Sequence, residues 1–319
     1  MALTSMEAPL AVRERYKGLL YGALAADSLA LAPHWIYDQA EIERRFGRVT
    51  DLQAAPADGY HAGKPLGAQT HYGDQALILL ESLEACGGNF VMEDFARRWR
   101  RYWQDSTSYR DHATKDTLAH FEEGRGLTRA GSDSTELGGA SRLAPLLLAL
   151  RGEEQPTIIA AVRAQTAMTH ASAEVIDSAE FIARVVFLLM RGVTIPSALE
   201  MASGLPYRTL QPGAYLQQAQ AKSGISTAQA VAELGQSCPL GKALPSVFAI
   251  LLEHGDNPET ALIENVMAGG DSAARGMMLG TILGAAHGYR AIPQRWIEPL
   301  VARPRVEAFI NTVGLGCSS

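Results

Sequence analysis

The sequence predicts a single all-α domain, and three observations carry that expectation. Apolar residues recur at three- and four-residue spacing along most of the chain, while alternating β-branched runs bounded by Asn-Gly or Asp-Gly turns are nearly absent. No tandem repeat, low-complexity linker or composition break divides residues 1–319. With 47% hydrophobic and 19% charged residues, the chain can bury a large core.

Taken in order, the first helix is expected over 13–26, where Gly18, Gly22 and Ala26 place small residues on one stripe. Periodicity then marks 74–86 and 92–103. In the latter, Phe95, Trp99 and Tyr102 form the expected buried stripe and Arg97, Arg98, Arg100 and Arg101 the wet face, so the mixture reads as an amphipathic helix and not as a nucleic-acid surface. Helices follow over 113–123, 156–168, 173–190, 195–202, 213–222, 227–233, 244–254 and 258–267. Clusters of Gly, Pro, Ser and Asp mark loops at 54–67, at 124–139 and around Cys238-Pro239.

The last predicted helix, 271–288, repeats glycine every four residues at Gly276, Gly280, Gly284 and Gly288. Each interior glycine costs about 1 kcal/mol relative to alanine. The stripe therefore calls for a compensating close backbone contact, expected against the stripe of the first helix. A membrane pair is the rival reading, but Arg275 and His287 bracket an apolar run far too short to span.

Composition narrows the function. A net charge of −6 and a sequence pI near 5.8 argue against a nucleic-acid partner. No segment reaches the roughly 18 apolar residues of a membrane span, and the first residues lack the apolar core of a secretory signal. Cys86, Cys238 and Cys317 are widely spaced, odd in number and without a CxxC pair. They point to a reducing cytoplasm, with neither disulfides nor a thiolate metal site.

Chemistry concentrates in 268–288, where two glycines precede Asp271 and Ser272 at the start of a long helix. Asp271 there is either an N-cap or a ligand for a hard cation. Gly269-Gly270-Asp271 resembles the C-terminal GGDTDT-type motif of ADP-ribosylglycohydrolases, and the run from Gly22 to Ser28, GALAADS, is similar to their N-terminal GALAGDALG-type element. Gly138 with Arg142-Leu143-Ala144-Pro145, then Thr169-His170, then Ala291-Ile292-Pro293 and Trp296 resemble further family segments in family order, over about residues 12–302. His34-Trp35-Ile36-Tyr37-Asp38 resembles a divergent branch related to J-type crystallins and selenoprotein J.

The resemblance implies an orthogonally packed helical domain that holds two Mg²⁺ ions and hydrolyses the glycosidic bond of ADP-ribose. This chain departs from the family's ligand pattern, with Ala273 and Ala274 in place of an Asp and a Thr, and Thr70-His71-Tyr72-Gly73-Asp74-Gln75 in place of a paired-Asp motif. A two-metal site is therefore not expected. Asp74, Asp271 and Ser272 are the expected ligands of at most one Mg²⁺, and Asp74, Asp271 and His71 the candidate catalytic groups. Arg275 is expected to substitute for a metal by pairing with Asp271 or Asp74, or else to face solvent or another carboxylate. Asp27, Trp35, Tyr37, Asp38, Tyr72, Arg142, His170 and Arg275 are the candidate ligand-binding residues, although Trp35, Tyr37 and Asp38 also suit a packed, capped loop and His170 a helix start.

Two functions stay open. One is a hydrolase of the ADP-ribosylglycohydrolase type acting on an ADP-ribosyl or related N- or O-glycosidic nucleotide compound. The other is an inactive nucleotide-sugar binder or a crystallin-like structural protein. Either way the expected partner is a small molecule such as ADP-ribose, with no nucleic acid and no membrane.

Overall fold

A computed structural model describes residues 4–316, with side chains from residue 12 onward; Cys317 lies outside the described residues. The chain is helical throughout, in the order α1 (Thr4–Ala30), α2 (Gln39–Phe46), α3 (His71–Ala85), α4 (Met92–Asp105), α5 (His112–Glu122), α6 (Gly138–Ser141), α7 (Ala144–Ala149), α8 (Gln155–Ala167) and α9 (Ala173–Leu189). It continues with α10 (Ile195–Ser203), α11 (Pro212–Gln220), α12 (Thr227–Leu234), α13 (Leu240–His254), α14 (Pro258–Met267), α15 (Ser272–His287), α16 (Gln294–Ile297) and α17 (Arg303–Thr312). Among the described residues there is no strand, only isolated bridges joining Ser132 to His170 and Glu136 to Pro239.

At the centre α1 and α15 run antiparallel. A Cβ on Gly284 would fall inside 3.0 Å of the Gly18 backbone, one on Gly280 would strike Gly22, and Gly276 faces Ala26. The two stripes therefore pack backbone to backbone, as their spacing predicts. Both helices are apolar and buried over most of their circumference, with Leu19, Leu20 and Leu24 on one and Met277, Leu279, Ile282 and Leu283 on the other fully inaccessible. This register sets the end of α1 and the loop that follows it beside Asp271 and Ser272 at the start of α15.

Several expectations need correction. Helix α13 starts a turn before the predicted 244, because Pro245 in its second turn removes one ladder hydrogen bond without ending the helix. The short α2, α6, α7 and α16, and the longer α17, have too little periodicity or length to stand out in the sequence. In α4 the fully buried stripe is Phe95, Trp99 and Trp103, while Tyr102 is only partly buried. Its hydroxyl instead donates to Asp74 at 2.8 Å. Arg97, Arg100 and Arg101 are exposed, as expected. Cys86 and Cys238 are both free thiols. No helix among the described residues is long and apolar enough to cross a membrane.

Candidate functional site

The turn before α15 is built by its glycines. Gly269 and Gly270 take φ of +75° and +71°, and a Cβ at either would strike the backbone of Ile36 or Gln236. Through this close approach Gly270 N–H donates to Ile36 O (2.7 Å), Trp35 N–H to Gly270 O (2.9 Å) and Asp271 N–H to Gln236 O (2.8 Å), so the turn is stitched to the loop after α1 and to the one after α12. Arg275 lies beneath it, fully buried. Its guanidinium donates to Asn265 Oδ1 (3.1 Å), Gln236 O (3.0 Å) and Gly269 O (2.6 Å). The expected ion pair with Asp271 or Asp74 gives way to this brace, because the carbonyls of a glycine turn buried against α14 need donors that only a long cationic side chain supplies there.

The start of α3 is seated on α1 by Asp27, which accepts from Thr70 N–H (2.7 Å) and from the Thr70 hydroxyl (2.5 Å). Burial pushes Asp27 up to about 6 even though both donors oppose the shift. Thr70 in turn caps α3 by accepting from Tyr72 N–H at 3.2 Å. Gly73 is required at this contact, since a Cβ would collide with Asp27 and Gln69.

From this seat the first turn of α3 sends its side chains in different directions. Tyr72 is fully buried and donates to Asp271 Oδ2 at 3.1 Å. Asp74 turns to Lys64 Nζ and the Tyr102 hydroxyl. His71 points into a cluster with His34 and His61, whose ring centroids lie 5.9 and 5.4 Å from its own. All three rings are buried, and none of their six nitrogens has a hydrogen-bond partner. One ligand nitrogen from each ring lies within 4.8 Å of the other two. Carboxylates flank the trio: His34 Nδ1 is 3.8 Å from Asp271 Oδ1, and His71 Nε2 is 3.5 Å from Asp111 Oδ2.

Electrostatics separate these groups. Burial holds His34 well below its ordinary value and His61 at about 2, so both rings are neutral near pH 7. For Asp111 burial acts upward, but neighbouring His71 and the Thr114 N–H that it caps prevail and hold it well below the carboxylate range. Glu136 is pushed up to about 7 by burial and by the charges of Asp111 and Asp271. Burial also raises Asp271, against the pull of Arg275.

Aromatic rings wall the cluster. Trp35 stacks on His34 at 4.3 Å and meets Tyr60 and Tyr109 edge-on at 4.7 and 5.0 Å. Its φ of +66° is the one left-handed non-glycine conformation among the described residues. Strain of this kind costs roughly 1–3 kcal/mol and collects at functional sites. Tyr37 and Tyr60, 47% and 57% exposed, bring aromatic surface to solvent at the rim.

Of the residues singled out by sequence, His71, Tyr72, Trp35 and Asp271 converge. Tyr37 lies at the rim, and Asp27 and Asp74 form an adjoining group with Thr70 and Lys64. The Ser272 hydroxyl is buried without a partner. Asp38 is exposed and caps α2 through Ala40 N–H at 2.9 Å, which is the packed-loop alternative. Arg142 is fully buried and donates to Gln75 and Thr169. His170 has Nδ1 3.0 Å from the Thr169 hydroxyl and is lowered to about 4 by burial and by Arg142. His34, His61, Asp111, Glu136, Tyr60 and Tyr109 escaped the sequence reading as site residues. His34 stood inside a quoted motif, but the others carry no spacing that marks them.

Comparison with known proteins agrees with this architecture. The ADP-ribosylglycohydrolase family profile matches residues 8–317. An uncharacterized protein of Archaeoglobus fulgidus is 27% identical over 304 residues, 93% of this chain and 94% of that one. Crystallin J1B of Tripedalia cystophora is 22% identical over 309 residues, 90% of this chain and 92% of that one. A solved structure titled ADP-ribosylglycohydrolase-related protein complex superposes with a TM-score of 0.75 at 23% identity, over 95% of this chain and 98% of that chain, which shows the same fold. With the profile spanning nearly its whole length and the glycine-built α1–α15 pair presenting the family's two motifs side by side, the chain belongs to the ADP-ribosylglycohydrolase family.

Proposed function

We propose that this protein hydrolyses the glycosidic bond of an ADP-ribosyl or closely related nucleotide compound in the cytoplasm, at the site bounded by His34, His71, Asp111, Glu136 and Asp271. The observation that carries the reading is the group of carboxylates, Asp111, Glu136 and Asp271, gathered beside the buried histidines. Burial and the charges of Asp111 and Asp271 raise Glu136 to about 7, so it is the member poised to hold a proton near neutral pH, while Asp111 is held ionised. Glycoside hydrolysis needs this division of labour. Glu136, with a value of about 7, donates its proton to the departing acceptor atom as the anomeric bond breaks. Asp271, held by Tyr72 and by the start of α15, takes the proton of the attacking water. Asp111 stays ionised and offsets the positive charge that develops on the ribose. The partnerless imidazoles supply hydrogen-bond acceptors for the water, and Tyr37 and Tyr60 offer faces on which an adenine can stack.

The test is release of free ADP-ribose, followed by chromatography, from ADP-ribosylated arginine and serine peptides and from small O-linked adducts. Wild type should turn over at least one of these, and Glu136→Gln should lower kcat by about 10²–10⁴-fold. Absence of release from every class would overturn the reading. The likeness to Crystallin J1B favours a structural role as the second reading; it predicts no turnover and no saturable nucleotide binding.

A further inference from the structure

The Mg²⁺ pair that the family resemblance implies does not fit the residues present. Mg²⁺ requires oxygen ligands in near-octahedral array. Here Asp74 is taken up by Lys64 and Tyr102, Asp27 by Thr70, and Ala273 and Ala274 offer no donor. Nitrogen, in contrast, is abundant: His34, His61 and His71 turn buried, partnerless imidazoles toward one another.

We propose that His34, His61 and His71 form a binding site for a transition-metal ion of the Zn²⁺ type, in place of a magnesium centre. Three lines of geometry support it. First, the rings come from separate places in the chain, the loop after α1, the loop before α3 and the first residue of α3, yet one nitrogen of each lies within 4.8 Å of the others. Zn–N bonds of about 2.1 Å in tetrahedral array put ligand nitrogens about 3.4 Å apart, so roughly an ångström of side-chain movement closes the site. Second, six buried ring nitrogens without partners are a costly arrangement, and an ion bonded to one nitrogen of each ring satisfies three of them. Third, Asp111 stands 3.5 Å from His71 Nε2 and Asp271 3.8 Å from His34 Nδ1. Each carboxylate thus sits where it can hold one nitrogen of a ring and leave the other to the ion, the arrangement that fixes histidine ligands in metal sites.

Imidazole nitrogens select zinc, cobalt, nickel or copper over magnesium. A three-histidine set leaves a fourth position open, as hydrolytic zinc sites do. Metal binding does not depend on which glycosidic bond is cut, so this proposal can fail while the hydrolase reading stands, and the reverse.

The experiment strips the full-length protein with chelator, then measures bound metal by equilibrium dialysis against Zn²⁺ in millimolar Mg²⁺, with Co²⁺ as a spectroscopic substitute. The expected result is one Zn²⁺ per chain, undisplaced by Mg²⁺, with the visible absorption of nitrogen-ligated, four- or five-coordinate Co²⁺. Asp111→Asn should weaken binding about 10–100-fold, and His61→Ala, whose side chain hangs from a loop and not a core helix, should abolish it. Substoichiometric Zn²⁺ in the wild type, or an octahedral Co²⁺ spectrum, would overturn the proposal. So would full binding in a folded His61→Ala protein. The wild-type stoichiometry and spectrum decide the matter even if a variant fails to fold.

Discussion

Gly284→Ala isolates the contact that brings the two motifs together. In an ordinary helix interior this change stabilises by about 1 kcal/mol, because alanine loses less backbone entropy. Here the added methyl would enter the backbone of Gly18, and neither backbone can rotate aside. Overpacking of a core costs about 1–3 kcal/mol even where side chains can yield. Taking an upper value and subtracting the propensity gain leaves a net loss of about 2 kcal/mol, or a fall in Tm of about 3 °C for a chain of this size. Gly213→Ala and Gly241→Ala are the controls, as a Cβ there meets its nearest neighbour at 3.9 Å and 3.5 Å. Both should be neutral or stabilising by up to about 1 kcal/mol. Urea denaturation of the three variants checks the ordering. If Gly284→Ala stabilised the protein as the controls do, the backbone-to-backbone packing of α1 on α15 would be wrong.

Arg275→Ala should destabilise by about 3 kcal/mol, since it strips donors from Gln236 O and Gly269 O in a buried turn; a variant as stable as wild type would contradict the bracing role. Asp27 gives a pH test with a definite sign. Its folded value of about 6 lies above the ordinary 3.8, so its contribution is most favourable below about 4 and is lost as pH rises through 6. Asp27→Asn should accordingly gain about 3 kcal/mol on wild type between pH 4 and pH 7.5, and a difference independent of pH would refute this. For catalysis, the kcat of wild type should fall as pH rises through about 7, where Glu136 loses its proton, and Glu136→Gln should flatten that limb. A limb that persists in the variant assigns the proton elsewhere.

The fold was legible where periodicity is long. The stripes of Gly18 and Gly22 and of Gly276, Gly280 and Gly284 predicted the central helix pair, because spacing every four residues has few other physical uses. The site was legible only where it coincides with a motif: Asp271, His71 and Tyr72 flank the predicted helix starts. His61 and Glu136 lie in loops whose sequence says only that they are loops, and they join the site through contacts across the chain that no local pattern encodes. Arg275 shows the opposite limit. Its sequence position one turn from Asp271 suggested an ion pair, but the side chain turns beneath the glycine loop, where buried carbonyls outcompete the carboxylate for its donors. Tyr102 was misplaced for a related reason, since its phenol reaches past the helix to Asp74 while Trp103, with more apolar area, takes the core.

Calorimetric titration of ADP-ribose into the purified protein, beside Tyr60→Ala, tests the assignment of this site to an ADP-ribosyl ligand most directly. Tyr60 is 57% exposed at the rim, so its removal leaves the core intact. Saturable one-site binding in wild type, weakened about tenfold in Tyr60→Ala by the loss of a stacking face worth about 1 kcal/mol or more, is the predicted result. No saturable heat in wild type, or equal affinity in both proteins, would contradict it.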